Sequence, residues 1–175
     1  MSPFQHVVSN AGPLMVLAKL HILYLLVDLY ETMHIPTSVY QKVVIQGLRY
    51  GYEDALTLRQ FLQEVGWSPE NVSNDNLPPL LRDAHLDQGE RDALTLALQL
   101  KHSLVLMDER QGRLVARQLG LPVRGSVGIL VQSYRHGILT ERHLRWYLKE
   151  IEERSDIWIN PRLVRRVREE IFGDK

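Results

Sequence analysis

The chain has 175 residues, about one ordinary domain by length, and its 21 Lys and Arg balance 21 Asp and Glu. With 45% hydrophobic and 24% charged residues it reads as a globular chain able to bury a sizeable core. It has no cysteine, which excludes a disulfide scaffold, a thiolate metal site and a thiol nucleophile. The zero net charge hides an asymmetry: residues 1–100 carry 6 basic and 11 acidic side chains, residues 101–175 carry 15 and 10. The basic part suits either a polyanion or docking between the two halves.

In chain order, His6-Val7-Val8-Ser9 is a short strand candidate, followed by Asn10-Ala11-Gly12-Pro13-Leu14, a cap and first turn of a helix to about residue 19. Ile22 to Tyr30 places Leu23, Leu26, Val27 and Tyr30 at helical spacing. Met33-His34-Ile35-Pro36 reads as a strand, then Thr37 or Ser38 caps a helix through Val39, Val43 and Val44, and Glu53 to Glu64 is another helix. Residues 66–86 are crowded with Gly, Pro, Asn and Asp and read as an inserted loop, with Val65-Gly66-Trp67 adding a strand. A strong helix spans 87–101, Ser103 to Met107 is a buried strand ended by Asp108, and a helix from about 109 stops at Gly120. Leu121-Pro122-Val123 is a strand, Gly125-Ser126-Val127-Gly128 opens a helix, and helices at about 140–153 and 161–171 complete a C-terminal extension over about 140–172. Strands alternating with helices predict one domain over 1–175, a three-layer α/β/α sandwich with a mainly parallel central sheet.

Sites in open parallel sheets form at the carboxyl ends of strands where the strand order switches. Asn10 and Asp108 both follow strands. Glu90 ends the stripe of Glu90, Ala93, Leu94 and Ala97, which share one helix face. Oxygen ligands of this kind suit Mg²⁺ or Mn²⁺ better than zinc. Asp87-x-x-Glu90 and Asp108-x-x-Gln111 also have capping-box spacing, and Asn10 suits an N-cap, so helix capping stands beside metal binding as a reading of all three. Arg110, Arg113 and Arg117 make one helical stripe beside Asp108, fit for phosphate, and Ser126 at a helix start is either a phosphate donor or another cap. Arg162, Arg165, Arg166 and Arg168 crowd the last helix, with Glu169 and Glu170 to neutralise part of that cluster. The seven histidines form no H-x-x-x-H or H-E-x-x-H pair, and G-x-G-x-x-G, G-x-x-x-x-G-K-[ST] and G-x-S-x-G are all missing.

The segments Val8-Ser-Asn-Ala-Gly-Pro-Leu14, Leu86-Asp-Gln-Gly-Glu-Arg-Asp-Ala-Leu94, Leu106-Met-Asp-Glu-Arg110 and Gly120-Leu-Pro-Val-Arg-Gly-Ser-Val-Gly128 together resemble the PIN-domain superfamily. More narrowly, they resemble a prokaryotic PIN-like family akin to the ribonuclease toxins of toxin–antitoxin pairs. The resemblance implies a metal-dependent endoribonuclease whose acidic positions are Asn10, Glu90 and Asp108, with Asp87 and Glu109 as candidate supporters. Mg²⁺ or Mn²⁺ would be the cofactor. RNA would be the substrate, held by Arg110, Arg113, Arg117 and Ser126, and an antitoxin protein the partner. Two positions depart from the family pattern: Asn10 stands where the family has Asp, and Lys42 lies where a glutamate often sits, so metal affinity is expected to fall. The alternative reading is a degenerate, non-catalytic module that binds RNA or protein. A homodimer is also expected, in which the Arg stripe would make subunit contacts. With no apolar run near 18 residues and no basic and apolar leader, the expected compartment is the cytoplasm.

Overall fold

A computed structural model describes residues 4–173. The chain divides into two compact units, the first ending at Ser126 and the second beginning at Val127. No helix among the described residues is long and apolar enough to cross a membrane.

In the first unit, β1 (His6–Ser9) leads into α1 (Ala11–Lys19) and α2 (Tyr24–Leu29), and β2 (Ile35–Pro36) into α3 (Thr37–Tyr40). A π-helical stretch, Gln41–Gln46, continues into α4 (Gly47–Arg49), and α5 (Glu53–Val65) follows. Then come β3 (Pro69–Glu70), α6 (Pro79–Asp83), α7 (Gln88–Gln99), β4 (Ser103–Leu106), α8 (Arg110–Gln118) and β5 (Val123–Arg124). The strands β1, β4 and β5 form one parallel sheet, and β2 and β3 a parallel pair. A parallel bridge between Val8 and His34 joins the two, with Ser9 N donating to His34 O at 3.0 Å and His34 N to Val7 O at 2.8 Å. The combined order is therefore β3-β2-β1-β4-β5. This is the α/β architecture with a mainly parallel central sheet that the alternation predicts. Val8 and Val105 from the sheet, Leu81 from α6, Leu94 and Ala97 from α7, and Val115 and Ala116 from α8 share one buried apolar cluster.

Several boundaries differ from the sequence reading. Helix α5 runs on to Val65 and ends at Gly66, whose φ of +72° is the left-handed turn that glycine supplies. No strand forms at Val65–Trp67; the extended residues are Pro69 and Glu70, paired only to β2. An edge position tolerates Pro69 because its missing N–H is not needed there. The strand near Leu121 falls at Val123–Arg124, and the helix after Pro36 widens into a π-turn.

The 66–86 insertion is tied to α7 by two adjacent side chains. Arg91 donates to the carbonyls of Leu81, Arg82 (3.0 Å) and Ala84 (3.1 Å), covering the end of α6. Asp92 is buried and accepts from Asn74 Nδ2 at 3.1 Å, Gln88 Nε2 at 2.6 Å and Ser38 Oγ at 2.6 Å. Asp92→Ala removes the acceptor for all three donors and should cost about 2 kcal/mol. The check is a lower urea midpoint together with faster proteolytic cleavage within 66–86 than in the parent.

The second unit holds α9 (Ser126–Arg135) beyond its first residue, α10 (Glu141–Glu153) and α11 (Pro161–Phe172). Thr140 caps α10 by accepting from His143 N. Asn160 caps α11 with Pro161 in its first turn. The basic cluster of α11 is largely committed. Arg165 reaches Glu152 at 2.7 Å and Arg168 reaches it at 3.5 Å, while Arg166 lies 3.8 Å from Glu170.

Candidate metal centre at the sheet switch point

With β1 and β4 adjacent, the chain leaves the sheet in opposite directions on either side of them, and the carboxyl ends of these two strands frame the crevice where ligands bind in such sheets. Asn10 follows β1 and Asp108 follows β4. Asn10 N donates to Leu106 O at 2.9 Å, which locks the two exits together.

Asn10 occupies the N-cap position of α1 but makes no capping hydrogen bond. Its Nδ2 instead donates to Glu109 Oε2 at 3.0 Å, and its Oδ1 is buried with no hydrogen-bond partner. The first turn of α7 comes close to this atom. A Cβ added at Gly89 would lie 3.2 Å from Asn10 Oδ1, so glycine permits the approach.

Asp108 does not cap α8, which corrects the capping-box reading of Asp108 and Gln111. The N-cap is Glu109, with no side-chain cap bond. Both carboxylate oxygens of Asp108 are gripped by Ser126, Oδ1 by its backbone N–H at 2.7 Å and Oδ2 by its hydroxyl at 2.5 Å. Each oxygen keeps a further lone pair. A Cβ at Gly125 would fall 2.7 Å from Asp108 Oδ1 and 3.0 Å from Arg113 Nη1, so both side chains crowd in on a bare glycine. Arg113 Nη1 also donates to Met107 O at 2.9 Å, while Arg110 and Arg117 are exposed.

Glu90 takes part in the capping box of α7. Its Oε2 accepts from Asp87 N at 2.8 Å and Asp87 Oδ1 accepts from Glu90 N at 2.8 Å, completing the box that the spacing predicts. The box fixes the Glu90 carboxylate in a buried position beside Gly112 of α8. Lys42, carried on the π-turn, donates to Asp87 Oδ2 at 2.7 Å.

These contacts set the electrostatics. Burial pushes the Glu90 carboxyl up, the charges of Asp87 and Glu109 add to that, and the Asp87 amide and Lys42 oppose it. Burial likewise pushes Asp108 up, against the two Ser126 hydrogen bonds and with help from Glu109. For Asp87 burial also raises the pKa, but the Lys42 ammonium and the amides of Glu90 and Gly89 outweigh it and hold the carboxyl below its usual range. Burial and the neighbouring Arg117 lower Arg113. Glu109 thus acts on both Glu90 and Asp108. Among the described residues no three Asp, Glu or His side chains converge as a metal-holding group, so the oxygen donors on offer are two carboxylates and one amide carbonyl. The orphaned carbonyl of Asn10, on a side chain held by the Glu109 carboxylate, is the feature a hard cation would satisfy.

A family model named DUF3368 and described as a PIN domain matches residues 6–171, a span that holds every residue of this crevice. The chain belongs to the PIN-domain family. PIN domains have a nuclease-like fold and generally use divalent metal ions. No curated protein and no solved structure matches this PIN domain. Sequence reading missed the grip of Ser126 on Asp108, because the two lie 18 residues apart with no periodic relation.

Proposed function

We propose that this PIN domain is a Mg²⁺- or Mn²⁺-dependent endoribonuclease, acting as the toxin of a toxin–antitoxin pair. The observation that carries the reading is the buried, unpartnered Asn10 Oδ1, on a side chain bonded to Glu109, whose charge also acts on Glu90 and Asp108. Glu90, Asp108 and Asn10 Oδ1 would hold the cation, which when bound supplies an activated water and offsets charge developing on the phosphate. Glu109 holds Asn10 by its amide nitrogen, so the carbonyl oxygen is the end left to face a ligand. Ser126 fixes both oxygens of Asp108, and the Asp87 amide fixes one oxygen of Glu90, which holds each carboxylate in one orientation. Arg113 stands beside Asp108 and orients the RNA backbone, with Arg110 and Arg117 extending the basic stripe along α8.

The neutral Asn10 and the Lys42–Asp87 ion pair favour a second reading, a module that binds RNA without cutting it. Manganese titration combined with an RNA cleavage assay separates the two. The nuclease reading expects Mn²⁺ binding and metal-dependent cleavage that Glu90→Gln abolishes; RNA binding without either supports the module. Both readings expect Arg113→Ala to weaken RNA binding about uniformly across sequences and to reduce the salt slope by about 1. An unchanged slope removes Arg113 from the RNA surface.

A further inference from the structure

Away from the crevice, three polar side chains form a line across β1, β2 and β3. Paired residues of neighbouring parallel strands share a face, so His34, bridged to Val8, lies on the same side of the sheet as His6. Glu70, paired with Pro36, continues the row. His34 Nδ1 lies 2.6 Å from Glu70 Oε1, and His34 Nε2 faces His6 Nδ1 at 3.0 Å, with ring centroids 5.1 Å apart. A carboxylate only accepts, so the His34 proton sits on Nδ1 and its Nε2 presents a lone pair towards His6. This tautomer is the one a metal-bound histidine adopts when a carboxylate holds its other nitrogen.

We propose that His6 and His34 bind a divalent transition metal between Nδ1 of His6 and Nε2 of His34, with Glu70 as the positioning residue for His34. Two nitrogens on one metal at bonds of about 2.0–2.1 Å stand about 3.3 Å apart at a tetrahedral angle and about 2.9 Å apart at a right angle. The observed 3.0 Å lies between these values, so the two nitrogens already stand at ligand spacing, and coordination asks both rings to turn from facing each other towards a shared metal. Binding requires one rearrangement. The His6 proton, shared with His34 in the metal-free chain, moves through solvent from Nδ1 to Nε2, leaving a lone pair on Nδ1; the protein gains and loses no charge. Water completes the coordination shell. His34 is 14% exposed and Glu70 41%, which leaves the row open at its outer end. Imidazole donors select Zn²⁺, Ni²⁺ or Cu²⁺ over Mg²⁺, whereas the crevice offers oxygen. Asn10 lies four positions beyond His6, about 13 Å along the strand, so the two sites are distinct.

Calorimetric titration of the tag-free full chain with Ni²⁺, under saturating Mg²⁺, tests this. The expected result is one equivalent bound, lost in His6→Gln and His34→Gln, weakened about 10–100-fold in Glu70→Gln, and unchanged in Asp108→Asn. Cu²⁺ bound at the same site should show coupling to two imidazole nitrogens in its electron paramagnetic resonance spectrum. Absence of binding by the parent chain, or binding that survives His6→Gln, overturns the proposal and leaves the row as a hydrogen-bonded tie between strands. His6→Gln is the more informative variant should His34→Gln fail to fold, because His6 touches only His34 among the row. Loss of nuclease activity bears on the crevice alone.

Discussion

Replacing Asn10 by aspartate is expected to move stability in opposite directions with and without metal. In the metal-free chain Asn10 Nδ2 donates to Glu109 Oε2 at 3.0 Å. Asn10→Asp turns that bond into two facing carboxylate oxygens in a buried place, one of them on Glu109, whose charge already acts on the raised carboxyls of Glu90 and Asp108. The cost should be about 3 kcal/mol, the scale for removing the partner of a buried charge. A bound divalent cation reverses the sign, because the new charge becomes a ligand in place of a neutral carbonyl. For that reversal at saturating Mn²⁺ the affinity must tighten by more than about 150-fold, the equivalent of about 3 kcal/mol. The measurement is a pair of thermal melts, with chelator and with Mn²⁺, for parent and variant. A variant less stable than the parent by the same amount in both would show that no cation reaches Asn10.

The second large effect is expected at Asp108. Burial raises its carboxyl above the ordinary range, so the folded chain favours the protonated form. Stability linked to this group is therefore present below the ordinary aspartate pKa and lost as pH rises through the raised value. Asp108→Asn removes the charge while retaining an oxygen for Ser126 to grip. The variant should match the parent in acid and exceed it at neutral pH, provided metal is absent. It should also lose metal affinity by at least a hundredfold, and with it any metal-dependent cleavage, about 2.7 kcal/mol. Urea midpoints measured between pH 4 and pH 7.5 check the sign. A variant less stable than the parent at pH 7.5 without metal would mean that the Ser126 grip outweighs the penalty of burying the charge.

What the sequence made legible was local. The buried strand at residues 103–106 and the helix over residues 88–99 follow from periodicity, and the Asp87–Glu90 box follows from a three-residue spacing. What remained hidden needed a partner distant in the chain. Pro69 and Glu70 are extended only because β2 lies beside them. Asp108 has capping spacing with Gln111, yet Ser126 from the far side of β5 takes both its oxygens. His6 and His34 stand 28 residues apart, outside any local motif. The Asn10 carbonyl could be placed at the end of β1 from sequence, but its lack of a donor is a property of the packed crevice.

The register of β1 on β4 also governs when the crevice comes into being. His6 pairs with Ser103, so the central seam of the sheet closes only after nearly a hundred further residues have been made. At about 5–20 residues per second, that interval is on the order of 5–20 s of translation. Until then Asn10 waits without Asp108, and Asp108 waits in turn for Ser126. A nascent or prematurely terminated chain therefore carries Asn10 and Glu90 as separate residues and no assembled crevice, so whatever the crevice binds can be held only once the chain has been made past Ser126.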